Sequence, residues 1–282
     1  MVKKAIVAAV VFLMLYSAFV YLFQDKISRT GQNQYDRNIV KGEEYLYEKG
    51  RKADVLILGS SLASRIVMDS LPASYYNLAM GGMSIYDGIS LLSKSSRKPK
   101  VVLIEMNVVY RDMNKDLEKD LYHPVFFFVK KYIPILRKKY QPVPVLKALF
   151  RDRSGIAADV GLYQLPKHLF DSEVARFKVM YSATPDPKLM KRKFNELNRD
   201  IQVLLRSGIK VVFFEMPIHQ DLKNLIEPQT TREEFYKYFP KSGFTYFDMP
   251  QDTYQTSDGL HLAPQEALRY TRFLRSKIKE LI

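Results

Sequence analysis

The sequence predicts an α/β fold of three layers: a doubly wound, mainly parallel five-stranded sheet between helices, preceded by an N-terminal transmembrane helix. Continuous apolar runs are typical of buried parallel strands, and their alternation with helical patterns is typical of the doubly wound class. The first segment also lacks charge for long enough to cross a bilayer. The predicted strands are residues 54–59, 75–78, 101–105, 210–215 and 244–248.

The N-terminal helix is predicted from residues 5–23, which are nineteen residues without a charge that follow Lys3 and Lys4. A cleavable signal peptide is the alternative. Residues 16–18 lack a small-x-small cleavage site, however, and the apolar run continues beyond them. We therefore expect a retained signal anchor over residues 1–25.

The remaining chain is expected to form a stalk and one domain. Residues 26–53 are polar, with a short helical pattern around 40–49, and residues 54–282 carry the α/β pattern. That pattern breaks at about 111–186, where aromatic residues mixed with Lys and Arg predict an insertion. Such a mixture suits a membrane interface or a groove for a partner, and ordinary amphipathic packing is the alternative. The predicted helices are residues 62–70, 84–95, 187–207 and 264–281.

Composition restricts the chemistry. The chain has no cysteine, which excludes disulfides, thiolate metal sites and a cysteine nucleophile. Its four histidines are scattered without a His-x-x-x-His pair, so we expect neither a metal nor another cofactor. The net charge of +14 allows nucleic acid, anionic lipid or an anionic polymer as partner, or only a solvated surface. Because no nucleic-acid-binding motif is present, nucleic acid is not expected.

The strongest site signal is the stretch 54–62, where a buried-type strand leads into a Gly-Ser-Ser turn. In an open α/β sheet, ligands bind beyond the carboxyl ends of the strands, which is where Ser61 would lie. A serine after a glycine is also common in ordinary turns. Ser61 becomes a candidate nucleophile because Asp258 and His261 supply, three residues apart, the carboxylate and base that such a serine needs.

Two further short sequence motifs are predicted to lie at the same edge of the sheet. Gly82 follows the second predicted strand and Asn107 follows the third. A backbone N–H group and a carboxamide are the donors that an oxyanion hole requires. We therefore expect the N–H groups of Ser61 and Gly82 and the amide of Asn107 to form one.

In this order, the four blocks resemble the SGNH hydrolase superfamily, the GDSL-like esterases, whose sheet is flavodoxin-like. Residues 59–61 match the family's Gly-Asp-Ser, Gly82 its second block, residues 105–107 its Gly-x-Asn, and residues 258–261 its Asp-x-x-His. The likeness covers about residues 54–270, apart from the insertion.

Two departures favour one branch of this family. Ser60 stands where the family has an acidic residue, and Glu105 where it has a glycine. The chain thus looks more like the membrane-anchored branches that act in teichoic acid D-alanylation and in alginate and peptidoglycan O-acetylation. The resemblance implies an extracytoplasmic serine O-acyltransferase or esterase in the cell membrane. It also implies an envelope polysaccharide or teichoic acid acceptor, contact with membrane lipid, and a membrane-bound O-acyltransferase partner.

Other polar residues follow the predicted strands and are candidates for substrate binding: Glu105, Arg111, Glu215 and His219. The two glutamates could instead cap backbone donors or pair with Arg65 and Arg111. A non-catalytic binding or scaffold module of an envelope-modification complex is the alternative function. The intact Ser61, Asp258 and His261 argue against that alternative.

Overall fold

The computed structural model describes residues 1–24, 27, 30–48, 52–95, 97–153, 165–250 and 252–281. The chain divides into two compact units. One, the N-terminal unit, comprises Met1–Glu48 and Lys115–Ala158, and the other, the sheet unit, comprises Lys49–Asn114 and Asp159–Ile282. Over the described residues there are ten α-helices: α1 (Val2–Phe23), α2 (Gln34–Tyr47), α3 (Ile85–Lys94), α4 (Lys115–Tyr122), α5 (Pro124–Tyr132), α6 (Pro142–Arg153), α7 (Lys167–Tyr181), α8 (Pro187–Arg206), α9 (Ile226–Tyr238) and α10 (Pro264–Lys279).

The sheet unit is built on five strands that all run parallel, in the order β2-β1-β3-β4-β5. The five predicted strands are confirmed, each within one residue at either end. The chain leaves β1 toward one edge of the sheet and leaves β3 toward the other, so the topological switch point lies between these two neighbours. The strands are β1 (Val55–Leu58), β2 (Tyr75–Asn77), β3 (Val101–Glu105), β4 (Lys210–Phe214) and β5 (Thr245–Phe247).

Both faces of this sheet are covered by helices, as the continuous apolar strands require. On one face, Leu103 and Val212 are register partners and share a core cluster with Leu274 of α10. On the other face, Gly88 of α3 lies against Leu58, and the ring of Phe213 packs 5.4 Å from that of Phe235 in α9. The doubly wound, three-layer prediction is thus confirmed at the level of an α/β fold with a parallel sheet.

The predicted helices agree with the structure in three of four places. α3, α8 and α10 confirm the predictions at 84–95, 187–207 and 264–281. The helix predicted at 62–70 is wrong, because Ala63–Arg65 and Met68–Ser70 form two separate 3₁₀ turns. The sequence also did not predict α7 or α9 as separate helices.

The N-terminal unit contains α1, which is the one helix of the described residues long and apolar enough to cross a membrane. Its Val20 is buried in a small cluster with Tyr140 and Val145. Ion pairs connect α2 to the basic segment that precedes α6. They join Asp36 to Lys138, Glu43 to Lys130, Glu44 to Lys139, and Glu48 to both Arg137 and Lys139, at 2.8–3.1 Å.

Candidate active site

The candidate site lies at the carboxyl ends of β1 and β3, on either side of the switch point. β1 ends at Leu58 and the half-buried Ser61 follows three residues later, while Asn107 follows the last residue of β3 by two. Ile57 and Leu103 are register partners, so the two strands end side by side. Because ligands of open α/β sheets bind at this position, the topology places both residues where a substrate is expected.

The turn that carries Ser61 is held by a buried carboxylate from the neighbouring strand. Glu105 is fully buried, and its Oε2 accepts from the backbone N–H groups of Ser60 at 2.8 Å and Ala63 at 3.1 Å. Its Oε1 accepts from the Ser60 hydroxyl at 2.7 Å, and Ser60 Oγ in turn accepts from the N–H of Leu62 at 3.1 Å. The Ser61 turn is therefore fixed from β3 and does not depend on a following helix.

Gly59 is required by this close approach of carboxylate and backbone. A Cβ atom at position 59 would lie 2.7 Å from the Cβ of Ala63, and it would overlap the carboxylate of Glu105. Neither neighbour can move easily, since Glu105 is held by three hydrogen bonds. Gly59 therefore lets β3 supply the acidic group that shapes the turn.

The N–H of Ser61 differs from those of its neighbours. Ser60, Leu62 and Ala63 all donate their N–H groups to Ser60 Oγ or Glu105, whereas the Ser61 N–H donates to no group in the described part of the chain. The same holds there for the N–H of Gly82, which adopts the left-handed φ of 71° that glycine favours. Both donors remain available for a bound group.

Asn107 is oriented by a backbone pair. Its Oδ1 accepts from the N–H of Met216 at 2.7 Å, and its Nδ2 donates to the C=O of the same residue at 2.9 Å. A carboxamide carries two N–H donors, so one remains beyond this pair. β2, β1 and β3 are adjacent in the sheet, so Gly82, Ser61 and Asn107 follow three neighbouring strands.

Asp258 and His261 lie in a tight turn immediately before α10. Oδ1 of Asp258 accepts from the N–H groups of Leu260 at 3.0 Å and His261 at 2.8 Å, and the N–H of Ser257 donates to the C=O of His261 at 2.7 Å. Gly259 has a φ of 91°, which a residue with a Cβ adopts only under strain. The turn thus holds the carboxylate of Asp258 within hydrogen-bonding distance of the imidazole of His261.

The structure brings Ser61, His261 and Asp258 into one chain of hydrogen bonds. Nδ1 of His261 lies 2.6 Å from Oδ2 of Asp258, and Nε2 lies 2.9 Å from Oγ of Ser61. Because a carboxylate only accepts, Nδ1 carries the proton and donates to Asp258. Nε2 is then free to accept from the serine hydroxyl, which is the arrangement of a nucleophile with its general base.

The two carboxyl groups of the site have opposite pKa shifts. Burial raises the pKa of Asp258, but hydrogen bonds from the side chain and backbone of His261 outweigh it, so the net shift is downward. Burial raises the pKa of Glu105, and its three hydrogen bonds only partly offset this. Asp258 is therefore ionised beside the imidazole, as an orienting group must be.

The candidate substrate-binding residues have other contacts in the structure. Glu105 is fully buried around the turn and has no surface for a substrate. Glu215 forms a two-point ion pair with Arg232, at 2.7 and 2.9 Å, and thus pairs with neither Arg65 nor Arg111. Glu105 therefore caps backbone donors, as the alternative interpretation expects. Glu215 pairs with Arg232 and with neither of the two expected arginines.

Arg111 and His219 also lie at this end of the sheet unit. The exposed Arg111 donates from its guanidinium to the C=O of Met83 at 3.2 Å. His219 accepts at Nδ1 from the N–H of Asp221 at 3.3 Å, and its ring packs edge-on against Phe170. Both remain candidates for substrate contact, outside the Ser61–His261–Asp258 chain.

Two depressions border the site. An open cleft includes Asp258 in its wall, together with Arg65 and Glu173. A more enclosed cavity lies beside Asn107, and Arg232 and Thr231 of α9 help to form it. These α9 residues cannot be identified as site residues from local sequence pattern, which does not predict α9. The cavity is lined by Met106, Asn107, Tyr181, Glu215, Ile218, Glu227, Pro228, Thr231 and Arg232.

Comparison with known proteins does not assign the chain to a family. No protein-family model and no curated protein matches the chain. Among the described residues, no group of three or more His, Asp or Glu side chains is placed to hold a metal ion.

Proposed function

We propose that this protein is a membrane-anchored, SGNH-type serine enzyme that transfers an acyl group of the acetyl or D-alanyl class to a hydroxyl of an envelope polymer or to water. The observation that carries the proposal is the hydrogen-bond chain from Asp258 through His261 to Ser61. The positions of Gly82 and Asn107 after β2 and β3 support it, since they complete the four blocks in the order of that superfamily.

The first half of the reaction forms an acyl-enzyme. Oγ of Ser61 attacks the acyl carbonyl carbon while Nε2 of His261 takes the hydroxyl proton. The resulting oxyanion is stabilised by the N–H groups of Ser61 and Gly82 and by the amide of Asn107. When the bond to the leaving group breaks, His261 returns the proton to that group, and the acyl chain remains esterified to Ser61.

The second half transfers the acyl group. A sugar hydroxyl or a water molecule gives its proton to Nε2 of His261 and attacks the acyl-enzyme carbonyl. The ester bond to Ser61 then breaks and the serine oxygen takes the proton back. Asp258 holds the imidazole in the tautomer that both halves require and stabilises its charged form. Exclusion of water decides between transferase and esterase.

Three features support a membrane and envelope setting. α1 is long and apolar enough for a single-pass anchor. The chain carries a net charge of +14, which suits an anionic glycan or teichoic acid. The resemblance to the membrane-anchored SGNH branches favours a domain outside the membrane and implies a membrane-bound O-acyltransferase as acyl supplier.

A fluorophosphonate probe tests the nucleophile. The full-length protein in detergent is exposed to the probe and to p-nitrophenyl acetate, and is compared with the Ser61→Ala and His261→Ala variants. Matched controls are Ser93→Ala and His168→Ala, which replace exposed residues of α3 and α7. We expect labelling and acetate release to be lost in both site variants and kept in both controls. A folded wild-type protein that does not label contradicts the proposal and favours the binding or scaffold module.

The acceptor is tested separately. Wild-type protein is incubated with p-nitrophenyl acetate and an anionic polysaccharide, and acetyl ester on the polymer is measured by NMR alongside free acetate. Acetylated polymer that depends on Ser61 identifies a transferase. Free acetate alone identifies an esterase, because water then reaches the acyl-enzyme.

A further inference from the structure

The part of α1 in which every residue is exposed is too short to cross a bilayer alone. Residues 2–15 are all exposed, whereas the last two turns are packed on one side only: Tyr16, Phe19 and Val20 are partly or fully buried, and Tyr21, Leu22 and Phe23 are exposed. At about 1.5 Å per residue, residues 2–15 cover roughly 21 Å, against about 30 Å for the hydrocarbon core. If α1 spans the membrane, its last two turns must therefore also lie within the hydrocarbon.

Those last two turns are packed against the segment that precedes and begins α6. Val20 is buried with Tyr140 and Val145, and the hydroxyl of Tyr16 donates to the C=O of Tyr140 at 2.6 Å. Ile135 packs on the same cluster. These contacts place the segment 135–145 at the depth of the last two turns of α1.

The surface around this segment is apolar. Phe128 of α5 is 64% exposed and Val143 of α6 is 59% exposed, which is unusual for such side chains in contact with water. We call the group the apolar surface. It consists of Val125, Phe126, Phe128, Tyr132, Ile133, Leu136, Val143 and Leu146.

Several charged side chains near the apolar surface are paired. Phe126 and Leu136 border a depression that also contains Lys130 and Lys138, which pair with Glu43 at 2.8 Å and Asp36 at 3.0 Å. Arg137 and Lys139 are buried and both pair with Glu48, at 3.1 and 3.0 Å, so neither enters hydrocarbon as an isolated ion. Lys131 and Lys147 are exposed beside apolar positions in the sequence. Long cationic side chains of this kind reach lipid headgroups while their stems stay among apolar groups.

We propose that the apolar surface is embedded in the lipid leaflet that the Phe23 end of α1 reaches. The protein would thus enter the membrane by a second, monotopic surface. Lipid is the occupant because the contacts of Tyr16 and Val20 set the depth of this segment. The proposal rests on the membrane anchoring in the proposed function, but not on its chemistry.

Single-tryptophan variants test this embedding, since the chain has no tryptophan. The full-length Phe128→Trp and Val143→Trp variants are reconstituted into phosphatidylcholine vesicles with and without dibrominated acyl chains. Phe12→Trp in the exposed part of α1 is the positive control. Tyr236→Trp, which replaces an exposed aromatic of α9, is the aqueous control. Fluorophosphonate labelling of Ser61 in the same vesicles reports the catalytic site independently.

We expect the Phe128→Trp and Val143→Trp variants to lose fluorescence in brominated lipid to a similar extent as Phe12→Trp. Their emission shifts to shorter wavelength, while Tyr236→Trp changes little. If both behave like Tyr236→Trp while Phe12→Trp is quenched, the proposal is wrong and the surface belongs to a protein partner. If Phe12→Trp is not quenched either, anchoring by α1 fails as well. Neither result changes the fluorophosphonate labelling of Ser61. A failure of the proposed acyl transfer chemistry is therefore recognised separately, by loss of that labelling.

Discussion

Glu105 and Ser60 occupy the two positions at which the chain departs from the family that it resembles, and they bind each other. The Ser60 hydroxyl donates to Oε1 of Glu105 at 2.7 Å. The β1 turn itself carries no acidic group beside Ser61, the proposed nucleophile, but the carboxylate of Glu105 reaches this turn from the end of β3. The hydroxyl at position 60 and the carboxylate at position 105 thus form one hydrogen-bonded unit that holds the turn.

Replacing Glu105 should destabilise the protein strongly. In Glu105→Ala, the N–H groups of Ser60 and Ala63 and the Ser60 hydroxyl lose their acceptor while they stay buried. Each orphaned group costs about 1–3 kcal/mol, so we expect a loss of roughly 3 kcal/mol or more, together with loss of probe labelling. Glu105→Gln keeps one acceptor oxygen and should lose less. Thermal unfolding checks this order, with the exposed Glu233→Ala as control. Equal effects of the two alanine variants would show that the carboxylate does not hold the turn.

Asp200 on α8 should make stability depend on pH. Burial and the nearby Glu196 raise the pKa of Asp200 to about 6. The pKa of Asp200 in the folded protein thus exceeds its value of about 4 in the unfolded chain. The stabilisation that protonated Asp200 contributes is therefore complete below pH 4 and is lost as pH rises through 6.

At pH 7 the Asp200→Asn variant should therefore unfold at a higher temperature than wild type. With solvent screening taken into account, we expect its free energy of unfolding to be higher by roughly 1 kcal/mol. The gain should shrink as pH falls from 6 to 4. Unfolding midpoints between pH 4 and 8 measure it. A wild-type to variant difference that does not change with pH would contradict the raised pKa.

The central strands β1, β3 and β4 could be predicted from the sequence because each is a short apolar run buried on both faces. The edge strands β2 and β5 are only partly buried. The first turn after β1 could not be predicted, since its conformation depends on distant residues. Residues 62–70 have a helical pattern, but the N–H of Val67 donates to Oγ1 of Thr271 in α10 at 3.0 Å and not to a carbonyl of its own turn. Val67 is accordingly extended, with φ −82° and ψ 97°.

The same limit applies to the site. Ser61, Asp258 and His261 could be identified because their residue types and order are informative, and the structure brings them together. The buried role of Glu105 and the pairing of Glu215 with Arg232 depend on contacts between strands and α9, which no local pattern encodes. Polar residues at strand ends are thus recognisable as site residues, but their partners are not.

The bond between Val67 and α10 can be tested with near-isosteric changes. Thr271 is fully buried, and its hydroxyl accepts from Val67 and donates to the C=O of Ala267 at 2.7 Å. Thr271→Val keeps the shape but leaves the Val67 N–H without an acceptor, so we expect a loss of about 1–3 kcal/mol. Thr271→Ser keeps the hydroxyl and should lose less, chiefly through the missing methyl group. Thermal unfolding midpoints compare the two, and a valine variant as stable as wild type would remove this bond as the cause of the broken helix.

Over the whole chain, the net charge of +14 is not evenly available to a partner. In the N-terminal unit, Lys130 and Lys139 pair with glutamates of α2, and Arg137 pairs with Glu48, which caps that helix. In the sheet unit, by contrast, α8 presents exposed cations to solvent. These are Lys188, Lys191, Arg199 and Arg206.

If the positive charge serves an anionic acceptor, the four exposed cations of α8 should contribute to binding. Their replacement together by glutamine lowers the net charge from +14 to +10 and should weaken binding of full-length protein to an anionic polysaccharide at low salt. Binding by wild type should fall steeply as salt rises from about 0.05 to 0.5 M, because the Debye length shrinks from over 10 Å to a few ångströms. The variant should show a shallower dependence, and a neutral polysaccharide should show none. Equal salt dependence in wild type and variant would mean that the α8 charges only keep the surface solvated. The acceptor would then have to be recognised by the cleft beside Asp258, without help from long-range attraction.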